Sequence, residues 1–227
     1  MTHHTLHRRA FLAAALLAAG FHGTSSRAQT KPEKSRLTLA VDGEAALYHL
    51  PLTIADQLGF FKAEGLEVDV SDLVGGARSP AALPGGVVDV FAGAFENTIH
   101  GQAKGQMFQS FVLQGRAPQI AFGISTHSMP PHQTLADLRG KKIGVAALGA
   151  PSHMVATVVL ARAGVSPNEV NFVGIGSSTG ALLALRSGQV DAICNTDPVM
   201  GMLEQKSDIR IVSDTRTLKG ALEVFGG

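Results

Sequence analysis

Residues 184–191 read Ala-Leu-Arg-Ser-Gly-Gln-Val-Asp, and residues 82–89 read Ala-Leu-Pro-Gly-Gly-Val-Val-Asp. Both fit A-L-x-x-G-x-V-D, and position 184 against position 82 gives an offset of 102. At the same offset Glu67-Val68 matches Glu169-Val170. In each copy a short apolar stretch meets a Gly, which can take positive φ and stop a helix. A strand-like apolar segment follows, DVFAGAF or DAICNTD, of the kind buried in parallel sheets. Two such units imply two similar α/β lobes, and two lobes enclose a cleft.

The alternation extends on both sides of the repeat. Residues 37–42 (LTLAVD) read as a first strand. Leu52 to Lys62 carries apolar residues at 52, 54, 55, 58 and 61, close to helical spacing. Glu67-Val68-Asp69-Val70 alternates like a strand, and residues 109–115 read as another, running to Gly115, where the crossover between lobes is expected. Residues 120–126 open the second lobe, and Met129-Pro130-Pro131 is expected as an exposed loop. Strand 143–148, a helix from Ser152 to Arg162, strand 171–175, helix 179–187, strand 190–196, helix 198–206 and strand 209–213 follow. Strands alternating with short helices predict parallel sheets joined by crossover helices.

Residues 1–28 read as an export leader. His7-Arg8-Arg9 supplies positive charge, Phe11 to Phe21 an apolar run, and Ser26-Arg27-Ala28 small residues at a cleavage site. The run is shorter than the roughly 20 residues a bilayer requires. Arg8-Arg9-Ala10-Phe11-Leu12 is similar to the twin-arginine export motif. These residues remove three Arg and no acid, so the 19 bases and 18 acids become 16 and 18, a net charge of −2. That balance argues against a nucleic-acid partner. Hydrophobic content of 45% with 26 glycines fits a packed α/β protein and excludes disorder. A single cysteine, Cys194, excludes an internal disulfide and any Cys-cluster metal site, and the histidines show no compact metal spacing.

Several segments together resemble the substrate-binding proteins of nitrate/sulfonate/taurine-type ABC importers, a branch that includes the thiamine-pyrimidine synthase-like domain. They are Pro51-Leu52-Thr53-Ile54-Ala55, then Gly59-Phe60-Phe61-Lys62-Ala63-Glu64-Gly65-Leu66-Glu67-Val68, Gly75-Gly76 and the repeat unit itself. Asp137-Leu138-Arg139-Gly140-Lys141-Lys142-Ile143-Gly144-Val145 and Asp197-Pro198 complete the set. The resemblance implies a two-lobed type II periplasmic binding protein fold, each lobe a mostly parallel sheet flanked by helices. It places lobe 1 at residues 29–115 and lobe 2 at 116–227. Proteins of that family continue for about a further hundred residues, so the resemblance also implies a C-terminally truncated chain with an incomplete first lobe.

In open parallel sheets, ligands sit beyond the C-terminal ends of strands, where helix N-termini point into the crevice. That rule selects residues 44–49, 75–79, 94–98, 148–153 and 195–197. The resemblance points to Tyr48, His49, Gly76, Ala94, Phe95, Ser152, His153 and Asp197 as ligand-binding positions. Gly149-Ala150-Pro151-Ser152-His153 reads equally as an anion seat or as an ordinary helix start. Tyr48 can flank a ligand with its ring or fill a half-buried core position. Arg78 can pair with an anion or stay solvated. Glu96 and Asp197 cut against a simple inorganic anion on Coulomb grounds and suit an amine-bearing ligand.

The resemblance thus implies a periplasmic, monomeric solute receptor that docks on a membrane permease, with no catalytic residues, metal or cofactor. The expected ligand is a small anionic or zwitterionic solute: a sulfonate, taurine, nitrate or similar. A pyrimidine-precursor binder or synthase-like enzyme on the same fold, and a periplasmic ligand sensor, are the alternatives. An enzyme of that kind needs a reactive Cys or a Cys-rich cluster, and Cys194 stands alone in an apolar run.

Overall fold

In the second copy of the repeat the expected device is built: a helix, a left-handed glycine, a buried strand. A computed structural model describes residues 32–41, 46–73, 83–129 and 134–226. Helix α5 (Thr179–Arg186) ends before Gly188 at φ 72°, and β7 (Ala192–Thr196) follows, wholly buried. In the first copy Gly86 takes φ 67°, and β3 (Val90–Ala92) follows. The described residues before it, 83–86, form a turn and not the expected helix. Pro84-Gly85-Gly86 explains the difference, because Pro and Gly are the two poorest helix formers.

What the two copies share is a joint between strands. The Asp89 N–H donates to the Thr38 carbonyl at 2.9 Å, and Asp89 Oδ2 accepts from the Thr38 N–H at 3.0 Å. The Asp191 N–H donates to the Lys142 carbonyl at 2.8 Å, and Asp191 Oδ2 accepts from the Lys142 N–H at 3.0 Å. In both sheets the aspartate of the repeat therefore locks its strand to the neighbouring parallel strand, at Thr38 within β1 (Arg36–Val41) and at Lys142, the first residue of β5 (Lys142–Val145). A carboxylate does this well because hydrogen bonds to a charged acceptor are the stronger kind.

The first sheet has three parallel strands, with β1 (Arg36–Val41) between β2 (Glu67–Asp72) and β3. Its core is small: Leu39, Val41, Leu52 and Ala92. The expected helix over 52–62 is two pieces, α1 (Leu50–Gln57) and α2 (Phe60–Ala63), parted at Gly59, which adopts φ 72°. Residues 109–115 form no strand, although their apolar pattern predicts one. They run exposed, with Phe111 at 73% exposure, and among the described residues no strand pairs with them. A strand needs a neighbour for its N–H and C=O groups, and pattern alone does not supply one. Helix α3 (Glu96–Ala103) occupies a region expected only as a loop.

The second sheet has five strands in the order β6-β5-β7-β4-β8: β4 (Ile120–Ser125), β5 (Lys142–Val145), β6 (Asn171–Gly174), β7 and β8 (Ile209–Asp214). β6, β5 and β7 run parallel, while β4 is antiparallel to both β7 and β8. Side chains alternate across it with period two. Ala192 and Cys194 face a cluster with Phe122, Ile143 and the α4 (Pro151–Arg162) residues Val155, Val159 and Leu160. Ile193 faces the other way, onto Leu182 and Leu185 of α5 and Met200 and Leu203 of α6 (Val199–Gln205). Met129, expected in an exposed loop, is 3% exposed because its thioether chain packs into the α4-side cluster. Helix α7 (Leu218–Phe225), with no counterpart in the sequence reading, starts where Thr217 Oγ1 accepts from the Gly220 N–H at 3.1 Å. The expected leader, Gly76, Arg78 and Pro130-Pro131 lie outside the described residues.

Candidate functional site

Two of the loops selected by the strand-end rule meet. Leu47 and Tyr48 belong to a single 3-10 turn (Leu47–His49) between β1 and α1, on the first-sheet side. Thr196 ends β7, and Asp197 follows it, on the second-sheet side. The Leu47 N–H donates to the Asp197 carbonyl oxygen at 3.4 Å, joining the two. A cavity of about 200 Å³ lies here, lined by Leu47, Tyr48, Gln119, Thr196, Asp197 and Arg216.

Arg216 is the electrostatic centre of the cavity wall. Its guanidinium takes Asp214 in a two-point grip, Nε to Oδ1 and Nη2 to Oδ2, both at 2.8 Å. Nη2 also reaches Glu204 Oε2 at 3.0 Å, and Nη1 reaches Asp197 Oδ1 at 3.3 Å. The hydrogen bonds from Arg216 hold the Asp214 carboxyl below its ordinary pKa, and the same contacts push the Arg216 pKa further up. Asp197 Oδ1 additionally accepts from the Gly201 N–H at 2.8 Å, which ties the first turn of α6 to the cavity wall.

The other sequence-selected residues lie elsewhere. His49 is buried, its ring 4.3 Å from that of Tyr48, and it lines a smaller cavity of about 50 Å³ with Val41, Leu52, Thr53 and Asp56. Ala94 and Phe95 lead into α3; the Ala94 carbonyl accepts from the Asn97 backbone and side chain, and Phe95 is exposed. Ser152 Oγ accepts from the Ala146 N–H at 3.0 Å, and His153 Nδ1 accepts from the Gly149 N–H at 3.0 Å. Both side chains thereby hold their own turn together. Burial lowers the His153 pKa, and an Nδ1 that accepts a hydrogen bond leaves the ring proton on Nε2. The ring stands edge-on to Phe172 at 4.4 Å.

Gln119 and Arg216 are cavity residues that the sequence reading did not select. Arg216 was within reach of the same rule: β8 runs parallel in direction to β7, so residues 214–216 emerge at the same end of the sheet. Gln119 sits at φ 56° just before β4, a conformation with no signature in the local sequence.

Chemically the site offers a carboxylate, a guanidinium already engaged by acids, two polar side chains and one phenol. Cys194 is fully buried, and burial pushes its thiol pKa up, away from the thiolate a nucleophile requires. Among the described residues no group of three His, Cys, Asp or Glu is placed to hold a metal, and no helix is long and apolar enough to cross a membrane.

A solved structure from Bordetella bronchiseptica RB50 matches 86% of this chain and 61% of its own at 51% identity, with a TM-score of 0.81. The alkanesulfonate-binding protein SsuA from Xanthomonas axonopodis pv. citri, bound to MOPS, matches 82% of this chain and 63% of its own, with a TM-score of 0.66. At 22% identity that likeness is one of fold, and the fold is the type II periplasmic binding protein fold. Among sequences, a 4-amino-5-hydroxymethyl-2-methylpyrimidine phosphate synthase of Schizosaccharomyces pombe is 25% identical over 69% of this chain. The chain spans 44% of that relative's length. The model of the NMT1/THI5 like family matches residues 46–216, most of the chain, and the chain belongs to that family.

Proposed function

We propose that this chain is the solute-binding component of an ABC importer, taking a small anionic or zwitterionic solute between its lobes. The observation that carries this is the cavity itself. It opens at the C-terminal ends of strands, is lined from both sheets, and is bridged by one backbone hydrogen bond from Leu47 to Asp197. Such a seam can open and close as a hinge around a ligand. On this reading residues 1–28 are a leader, 29–115 and 116–227 are the two lobes, and the exported protein works as a monomer in the periplasm and docks on a membrane permease. Tyr48 and Asp197 line the cavity and would touch the ligand; His49, Gly76, Ala94, Phe95, Ser152 and His153 belong to this proposal as further ligand-binding positions, without a place in the cavity lining.

A synthase-like enzyme is the second reading, favoured by the name of the S. pombe relative. Against it stands the buried, protonated Cys194.

The test is a series of thermal melts with nitrate, bicarbonate, taurine, alkanesulfonates and an aminopyrimidine. A solute at about a hundred times its Kd adds roughly 2.7 kcal/mol of stability, which moves the midpoint by several degrees. A selective shift by one solute class is the expected outcome. Turnover of any of them, or no shift by all, removes the receptor reading.

A further inference from the structure

We infer that Gln119 is the torsion on which the two sheets swing, and that its left-handed backbone belongs to the arrangement in which they meet across the cavity. This rests on the receptor reading above for the purpose of the motion and names the residue that carries it.

Among the described residues two that are not glycine take a left-handed φ, Ser207 at 57° and Gln119 at 56°. A side chain makes that conformation costly, so each needs a reason. Ser207 has an ordinary one. It follows α6, where its N–H donates to the Glu204 carbonyl at 2.9 Å and the Asp208 N–H reaches back to the Leu203 carbonyl at 2.9 Å. That pair of bonds closes a helix C-terminus around a left-handed residue. Gln119 ends no helix; it stands directly before β4.

Its position supplies the reason. The described chain passes from the first sheet to the second once, between α3 and β4. The end of that passage has few soft torsions. Ala117 precedes a proline, which disfavours helical backbone there, and the Pro118 ring fixes its own φ. Ile120 is already clamped into the second sheet. Its N–H donates to Thr215 Oγ1 at 3.1 Å, and its carbonyl accepts from the Thr215 N–H at 2.9 Å and from Thr215 Oγ1 at 2.7 Å. Between a fixed ring and a clamped strand, the Gln119 backbone sets the direction in which the chain leaves the second sheet.

The side chain folds back toward Gly115. A Cβ on Gly115 would stand 3.1 Å from Gln119 Nε2, tighter than a relaxed contact, so the amide uses the space that the glycine leaves. It also lines the cavity, with Leu47 and Tyr48 on the first-sheet side and Asp197 and Arg216 on the second. A domain motion is absorbed in φ and ψ at such element ends. A strained backbone persists only where its surroundings hold it, and here they are the joined sheets, with the Leu47 N–H on the Asp197 carbonyl. When the sheets part, Gln119 relaxes to an extended φ. A solute that fills the cavity holds both sheets, and so holds the left-handed state.

Double electron–electron resonance on the full chain reads this, between nitroxides at Lys62→Cys on α2 and Lys219→Cys on α7. Both positions are exposed, and fully buried Cys194 stays unlabelled. Gln119→Gly removes the steric cost of the left-handed state and is expected to move the ratio of joined to parted molecules about fivefold toward the shorter distance. Gln119→Val, with its branched Cβ, is expected to move it the other way. Gly115→Ala follows Gln119→Val, because its methyl group displaces the amide. Where Gln119→Val does not fold, Gln119→Ala takes its place against Gln119→Gly, since it keeps the Cβ. Strain of merely local value raises the melting midpoint of Gln119→Gly and leaves its distances equal to those of Gln119→Val or Gln119→Ala. That result overturns the inference, as does a longer distance in Gln119→Gly. The distances need no solute. Equal distances beside a solute-dependent melt therefore overturn the hinge and leave the receptor reading, whereas separated distances with no responding solute keep the hinge and remove the receptor reading.

Discussion

Asp89 and Asp191 perform one task in two unequal sheets. Each closes the same pair of hydrogen bonds to one residue of a neighbouring parallel strand, with lengths that agree within 0.1 Å between the copies. Around Asp191 stand five strands with helices packed on both faces and two large clusters of buried residues. Around Asp89 stand three strands and a four-residue core, and Ile54, Phe60, Phe95 and the run from Phe111 to Leu113 are exposed. The repeat therefore encodes a joint between strands. The amount of core behind the joint is set by other segments, in particular by whether helices cover each face.

The largest expected effect comes from deleting core on the stronger side. Phe122→Ala, at a fully buried position, should cost about 3–5 kcal/mol in urea unfolding, whereas Leu52→Ala in the small cluster should cost nearer 2 kcal/mol. Equal costs would mean that the first sheet is as well packed as the second. At the joint itself, Asp191→Ala should cost about 1 kcal/mol, since the lost bonds lie near solvent. Asp89→Ala should cost less, because Asp89 is exposed beside Lys34. A larger loss at Asp89 would break the equivalence of the two joints.

The gentlest effect is a pH slope, read at Asp208 beside the larger sheet. Asp208 is buried, and burial alone would raise its pKa. The hydrogen bonds from His127 Nε2 at 3.0 Å and Arg186 Nε at 2.8 Å outweigh this and hold it below the ordinary carboxylate value. A folded-state pKa below the unfolded value of about 3.9 gives stability that is present above that value and lost as pH falls through the folded one. Melting midpoints recorded from about pH 5 down to pH 3 should therefore fall less steeply in Asp208→Asn than in the parent chain. An unchanged slope would assign the acid sensitivity elsewhere.

The same contrast explains what could be read from the letters. The second copy was legible because Ala184-Leu185 ends a helix, Gly188 stops it, and residues 192–196 are buried on both faces, all local signals. The first was misread at Pro84-Gly85-Gly86, where the repeat pattern suggested a helix that the residues themselves disfavour. Residues 109–115 have the composition of a strand, but pairing is a property of neighbours. In the site, the strand-end rule found Tyr48 and Asp197, which the fold brings to one cavity. Applied to the end of β8, the same rule leads to Arg216. Sequence alone does not show that a lone arginine will be claimed by three acids from different segments.

The placement of β4 has a consequence in time. It is the first strand of its sheet to be synthesised, yet its two neighbours are the last two, and the Ile120 N–H finds Thr215 Oγ1 across 95 residues. At about 5–20 residues per second, translation needs roughly 5–20 s to deliver that partner. Until β7 and then β8 emerge, Ile120, Phe122 and Ile124 have no partner strand, and closing so long a loop then carries an entropic cost. The most thoroughly buried strand of the sheet is thus the one that waits longest for its partners.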